Sequence, residues 1–179
     1  MMYTSRYDSP VGPLLLAGQD DTLTGLWMEG QKYYPTSPGE EARESKNSPV
    51  LQQAERWLDL YFAGKRPTPN ELPLSPAGSA FQKEVWNMLL QIPYGEVVTY
   101  GALAKQLAAR RGTAGMSPQA VGGAVGHNPI SIIIPCHRVV GSNGSLTGYA
   151  GGLQRKVRLL THEGVDMERL FVPRRGTAL

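Results

Sequence analysis

The stretch SPQAVGGAVGHNPISIIIPCHRVV, Ser117–Val140, holds the only cysteine of the chain, Cys136, with His137 directly after it. It opens with Ser117-Pro118, a pair suited to the N-cap and first position of a helix. It then runs through a glycine-rich helix to Asn128-Pro129, which stops that helix. Ile130 to Ile134 follow as an apolar run, the pattern expected of a buried strand that delivers Cys136 and His137 into a pocket. A thiol is a weak nucleophile at its reference pKa of about 8.5, and a neighbouring imidazole can take its proton. A lone cysteine is more often a small buried hydrophobe. The adjoining His137 and Arg138 shift the reading toward a reactive thiol.

Three glycines, Gly122, Gly123 and Gly126, stand within five positions of the helix, and each costs about 0.5–1 kcal/mol relative to alanine. Close packing against another helix would require such a bare surface. So would approach to a ligand or a narrow DNA groove, with Ala120, Gly123 and Ala124 on one face. Upstream, Thr99 can cap a helix from Tyr100 to about Ala109. Two short helices joined by the basic segment Arg110-Arg111-Gly112-Thr113-Ala114-Gly115-Met116 suggest a helix-turn-helix.

Charge supports a polyanionic partner. Residues 1–78 carry 7 Lys and Arg against 10 Asp and Glu, and residues 79–179 carry the remaining 11 against 5. A basic half can displace counterions from a phosphate backbone, although surface charge also merely solvates. With one cysteine among 179 residues, an internal disulfide is excluded. The N-terminus shows no signal-peptide pattern and no run spans a membrane, so a cytoplasmic protein with no membrane partner is expected.

The first half reads as a meander of strands, Met2–Tyr7, Pro13–Ala17 and Thr22–Met28. Residues 35–48 read as a surface loop, and a helix from Ser48-Pro49 ends at Gly64. Four prolines between Lys65 and Gly78 read as an extended linker. This half is scaffold over residues 1–78, leaving 79–179 for the chemistry. There, Ser79-x-x-Gln82 is a capping box for a helix with Phe81, Val85, Met88 and Leu89 on one face. A glycine-rich loop, Thr147–Gly152, offers Tyr149 as a wall for a flat substrate. A last helix has Leu153, Val157 and Leu160 as its apolar stripe, with Arg155, Lys156 and Arg158 away from it. It ends at His162-Glu163-Gly164, where Glu163 is a carboxylate that can orient an imidazole.

Taken in order, Ile92-Pro93-x-Gly95, Tyr100-Gly101-x-Leu103-Ala104, Ala120-Val121-Gly122-Gly123-Ala124, Asn128-Pro129, Ile134-Pro135-Cys136-His137-Arg138-Val139, Gly148-Tyr149-x-Gly151-Gly152 and Leu160-x-His162-Glu163-Gly164 resemble the O6-alkylguanine-DNA alkyltransferases. The resemblance covers nearly all of residues 79–164. It implies an α/β N-terminal ribonuclease-H-like domain and a mainly α C-terminal domain with a winged-helix-like helix-turn-helix. It further implies a monomer on the minor groove of double-stranded DNA that flips an alkylated guanine into a pocket. Cys136 would be the alkyl acceptor, His137 its base through a water, and Glu163 the support for His137. Asn128 would tie the recognition helix to the site, and Tyr100 would bond the guanine. Tyr149, Ala150, Gly151 and the Val139 carbonyl would line the pocket. DNA contacts would come from Gln119, Ala120, Gly122, Gly123, Ala124, Arg110, Arg111 and Arg138.

The resemblance implies no cofactor, and the absence of further cysteines argues against the structural zinc of some relatives. Many relatives carry arginine where Gln119 stands; glutamine can fill the gap left by a flipped base but supplies no charge. A non-catalytic lesion-recognition protein, a cysteine hydrolase and a transcription regulator using only the helix-turn-helix are the rival readings. O4-methylthymine and larger alkyl groups stay open as further substrates, as does cooperative assembly on DNA.

Overall fold

The computed structural model describes residues 2–35 and 42–173. The chain forms two compact units, one of residues 1–77 with 129–133 and the other of residues 78–128 with 134–179.

In the first unit, β1 (Met2–Ser9), β2 (Gly12–Gln19) and β3 (Thr22–Met28) form the antiparallel meander the alternating sequence predicts. The sheet order is β3-β2-β1-β4. The fourth strand, β4 (Arg43–Glu44), pairs parallel to β1 within the stretch read as a loop. Two polar residues carry no hydrophobic signature, so only the free edge of β1 specifies this strand. Residues 36–41 of that loop reading lie outside the described residues. Helix α1 (Pro49–Phe62) buries Leu51, Ala54, Leu58 and Tyr61, and packs on the first three strands. Pro49 occupies its first turn, and Gly64 leaves it with φ +78°.

Two sequence expectations fail in this unit. The proline-rich segment is not a free spacer: the amide of Leu23 donates to the Pro73 carbonyl at 2.8 Å, and Ser75 N returns to Leu23 O at 2.9 Å. Nor is Ile130–Ile134 a strand. Only Ile130 forms a bridge, with Leu26, and Ile132 takes φ +70°, a left-handed value that a β-branched residue rarely adopts. Ile130, Ile132 and Ile133 are nevertheless buried. An apolar run reports burial, and its period does not separate a strand from a buried turn.

In the second unit, α2 (Ala80–Leu89) begins with the reciprocal Ser79–Gln82 capping box. Helix α3 (Tyr100–Arg111) is capped by Thr99 Oγ1, which accepts from Ala102 N, and ends at Gly112 with φ +65°. Ser117 Oγ caps α4 (Pro118–Gly126). Helix α4 packs on α2 and α3, and the Trp86 indole donates to the Ala124 carbonyl at 2.8 Å. These helices form the helix-turn-helix. A small parallel pair, β5 (Val98–Thr99) with β6 (Val139–Val140), leads into α3. Helix α5 (Leu153–His162) completes the unit, and Val140, Leu146 and Leu160 form a core cluster there.

Candidate active site

The site is assembled inside the second unit from the end of α4, the turn Cys136–Arg138, the loop before α5, and the end of α5. Asn128 follows α4, is buried, and donates from Nδ2 to the Ile134 carbonyl at 2.8 Å. That bond closes the base of the 129–133 excursion and fixes where the chain returns. Cys136, His137 and Arg138 then form one 3-10 turn, and all three are buried.

The burial of Cys136 pushes its thiol pKa up, against the lowering effects of the Asn128 hydrogen bond and the Lys156 charge. The resting sulfur is therefore a protonated thiol that needs a base. His137 is fully buried, with Nε2 at 2.6 Å from Glu163 Oε2. Among the described residues, His137 Nδ1 is the buried side-chain nitrogen without a hydrogen-bond partner. An Nε2–H bonded to the carboxylate leaves Nδ1 as a lone pair able to accept a proton. Burial pushes the imidazole pKa down more than Glu163 raises it, so the ring is neutral. Burial would push the Glu163 carboxyl up, but His137 and then Arg138 outweigh it and hold the group well below the usual carboxylate range.

Tyr100 stands at the start of α3 and its hydroxyl lies 3.1 Å from the Thr147 carbonyl and 3.0 Å from that of Gly148. Gly148 has φ +76°, and a Cβ there would come within 2.9 Å of the Tyr100 hydroxyl. Burial, then Cys136, raises the Tyr100 pKa, so the phenol keeps its proton. Tyr149 is buried in the same loop; Ala150 and Gly151 are half-buried.

Lys156 departs from expectation. It is fully buried, and its Nζ donates to the Val139 carbonyl at 2.5 Å and to Thr147 O at 3.2 Å. Burial lowers its pKa to about 8, with Cys136 acting in the opposite direction. The signal was present in the sequence: positions 153, 156, 157 and 160 follow the spacing of one helical face.

Of the DNA-contact candidates, Gln119, Ala120, Gly123 and Arg110 are exposed and Gly122 is half-buried. Three others are buried or already partnered within the protein. Ala124 is buried in the unit, its carbonyl taken by Trp86. Arg111 pairs with Glu84 at 2.6 Å and lies over the Phe81 ring. Arg138 is buried, donating to both oxygens of Glu163 at 2.7 and 3.1 Å and to the Ile92 carbonyl at 2.7 Å. The basic sequence could not show that two of its arginines already have carboxylate partners. A Cβ added at Gly123 or Gly126 would meet nothing within 4 Å, and one at Gly122 only the Tyr100 ring at 3.8 Å. Internal packing therefore does not explain the bare face of α4. No three His, Cys, Asp or Glu side chains are grouped to hold a metal among the described residues.

A two-domain alkyl-acceptor architecture is defined by this sheet unit, the helix-turn-helix and the Cys136–His137–Glu163 array. Residues 2–76 match the ribonuclease-like domain, and residues 80–165 the DNA-binding domain, of 6-O-methylguanine DNA methyltransferase. The chain belongs to this family. It is 44% identical to the methylated-DNA–protein-cysteine methyltransferase of Methanosarcina acetivorans, over 91% of this chain and 99% of that one. The Mycobacterium tuberculosis OGT in complex with DNA superposes with a TM-score of 0.77 at 43% identity, covering 94% of both chains. A Methanococcus jannaschii O6-methylguanine DNA methyltransferase gives 0.62 at 26% identity, over 97% of this chain and 99% of that one.

Proposed function

We propose that the chain repairs DNA by moving the alkyl group of O6-alkylguanine onto Cys136, the reaction for which its relatives are named. One observation carries this reading: the sole thiol of the chain is buried beside an imidazole with one nitrogen on a carboxylate and the other unpartnered.

The thiol proton passes to His137 Nδ1, through a bridging water, and Glu163 compensates the imidazolium that forms. The thiolate attacks the alkyl carbon, a C–S bond forms, and the C–O6 bond breaks with its electrons on guanine. The departing base accepts a hydrogen bond from the Tyr100 hydroxyl, once that hydroxyl leaves the loop carbonyls, and the proton it takes up is the one His137 received from the thiol. The product is a thioether, which has no carbonyl for water to attack, so each molecule acts once.

The thiol is 4% exposed, so the guanine must leave its stack to reach it. The open glycine face of α4, with Gln119 and Arg110 exposed, supports docking of that helix in the minor groove. Tyr149 and the Val139 carbonyl would hold the flipped base, with Ala150 and Gly151 at the loop edge.

The test is duplex DNA carrying a radiolabelled O6-methyl group. One equivalent of label should move to the peptide containing Cys136 and then stop. Label elsewhere, or several turnovers per molecule as a hydrolase would give, overturns the reading. Binding of the lesion with no transfer would instead favour a recognition protein.

A further inference from the structure

Arg138 stands two residues after the reacting thiol in the chain but serves a different group. Its Nε and Nη2 donate to Glu163 Oε1 and Oε2, its Nη1 to the Ile92 carbonyl, and its guanidinium lies 5.7 Å from the centre of the Tyr94 ring. A permanent cation thus satisfies both carboxylate oxygens, while Oε2 also meets His137. A buried carboxylate with no other cation would draw a proton onto its histidine partner, because an uncompensated charge in a low-dielectric site is strongly unfavourable. With Arg138 in place, Glu163 can orient His137 without making it a permanent imidazolium.

We infer that Arg138 is a positioning residue of the alkyl transfer: by compensating Glu163 it keeps His137 neutral and able to take the proton of Cys136. The inference rests on the proposed function. The charged groups around His137 are Glu163 and Lys156 from α5 and Arg138 on its own turn. Cys136 is its immediate neighbour, and the titratable groups acting on that sulfur are Lys156 of α5, Tyr149 of the loop and Tyr100 of α3. Lys156 acts on His137 in the same direction as Arg138, whereas Glu163 opposes them.

The test is Arg138→Met, with Arg138→Lys and the double variant Arg138→Met/Glu163→Gln. The readouts are the single-turnover transfer rate from pH 5 to 9 at saturating O6-methylguanine duplex, and the NMR titration of the His137 ring. With Arg138 gone, His137 pairs with Glu163 as an imidazolium and its pKa rises. The neutral base then exists only above that raised pKa, so the acid limb of the rate moves to higher pH. A limb shifted by about one unit lowers the rate about tenfold at a pH below both values. Arg138→Lys keeps a charge and should hold the limb near its original place. The double variant has no carboxylate to compensate, so its limb and its His137 titration should return toward those of the parent.

A uniform rate loss with an unmoved limb, or a double variant no different from the single one, overturns the inference. Weakened DNA affinity with an unchanged saturated rate overturns it too, returning Arg138 to the DNA surface. If Arg138→Met does not fold, Arg138→Gln removes the charge while keeping hydrogen-bond donors, and the same outcomes are read on it. If the parent transfers no label, the functional reading fails, and the His137 titration still judges the role of Arg138.

Discussion

At the scale of single residues, the site is a balance of buried charges. Glu163 is the buried anion; Arg138 answers it directly, and Lys156 rests on backbone carbonyls within the influence of Cys136. Lys156 therefore adds positive potential where a thiolate must form. Its burial also has a consequence for stability. The folded pKa of about 8 lies below the 10.5 of an ordinary lysine, so between these values the unfolded chain binds the extra proton. Stability from this group accordingly rises with pH across that window. Lys156→Met should abolish that rise, and the stability gap between parent and variant should shift in the parent's favour from pH 8 to 10, measured by urea unfolding. A gap independent of pH would show that the ammonium is not buried as described.

At the scale of elements, α4 shows how local signals and function diverge. Ser117 and Pro118 start the helix well, but Gly122, Gly123 and Gly126 weaken it. The space beside Gly123 is open within the protein, so a methyl group there meets no internal obstacle. Gly123→Ala should raise stability by about 0.5–1 kcal/mol through helix propensity. On the proposed docking of α4 the same methyl should weaken binding to undamaged duplex, because it would face the groove. Thermal unfolding and an affinity titration check the two halves, and a variant more stable with unchanged affinity would remove α4 from the DNA interface. The caps at Ser79, Thr99 and Ser117 were legible because each bond is local, spanning two or three residues. The two-residue β4 was not, since its only determinant is an edge more than 30 residues away.

At the scale of the whole molecule, the division near residue 78 is not a single cut. Pro129–Ile133 leaves the second unit and is counted with the first, where Leu26 N donates to Pro129 O and Ser131 N to Leu26 O. A chain begun at Ser79 would lose those partners and expose Ile130, Ile132 and Ile133, which are at most 1% exposed in the full chain. Each buried aliphatic side chain contributes about 1.5–3 kcal/mol through burial. Residues 79–179 alone should therefore melt at lower temperature than the full chain and bind a hydrophobic dye. Equal melting temperatures would show that covering the segment adds nothing to the stability of the second unit.

The amino-acid sequence by itself determined the chemistry: one thiol, its adjacent imidazole, a carboxylate after the last helix, and the capped helices that hold a bare face outward. Those features were readable because they depend on residue type and on spacing within one element. Only the tertiary structure decided which charges meet. It placed the guanidinium of Arg138 on Glu163, buried Lys156 under two carbonyls, and made the isoleucine run a turn rather than a strand. The reason is physical: pairing and burial depend on groups brought together across tens of residues, and charge or hydropathy read along the chain carries no record of that distance.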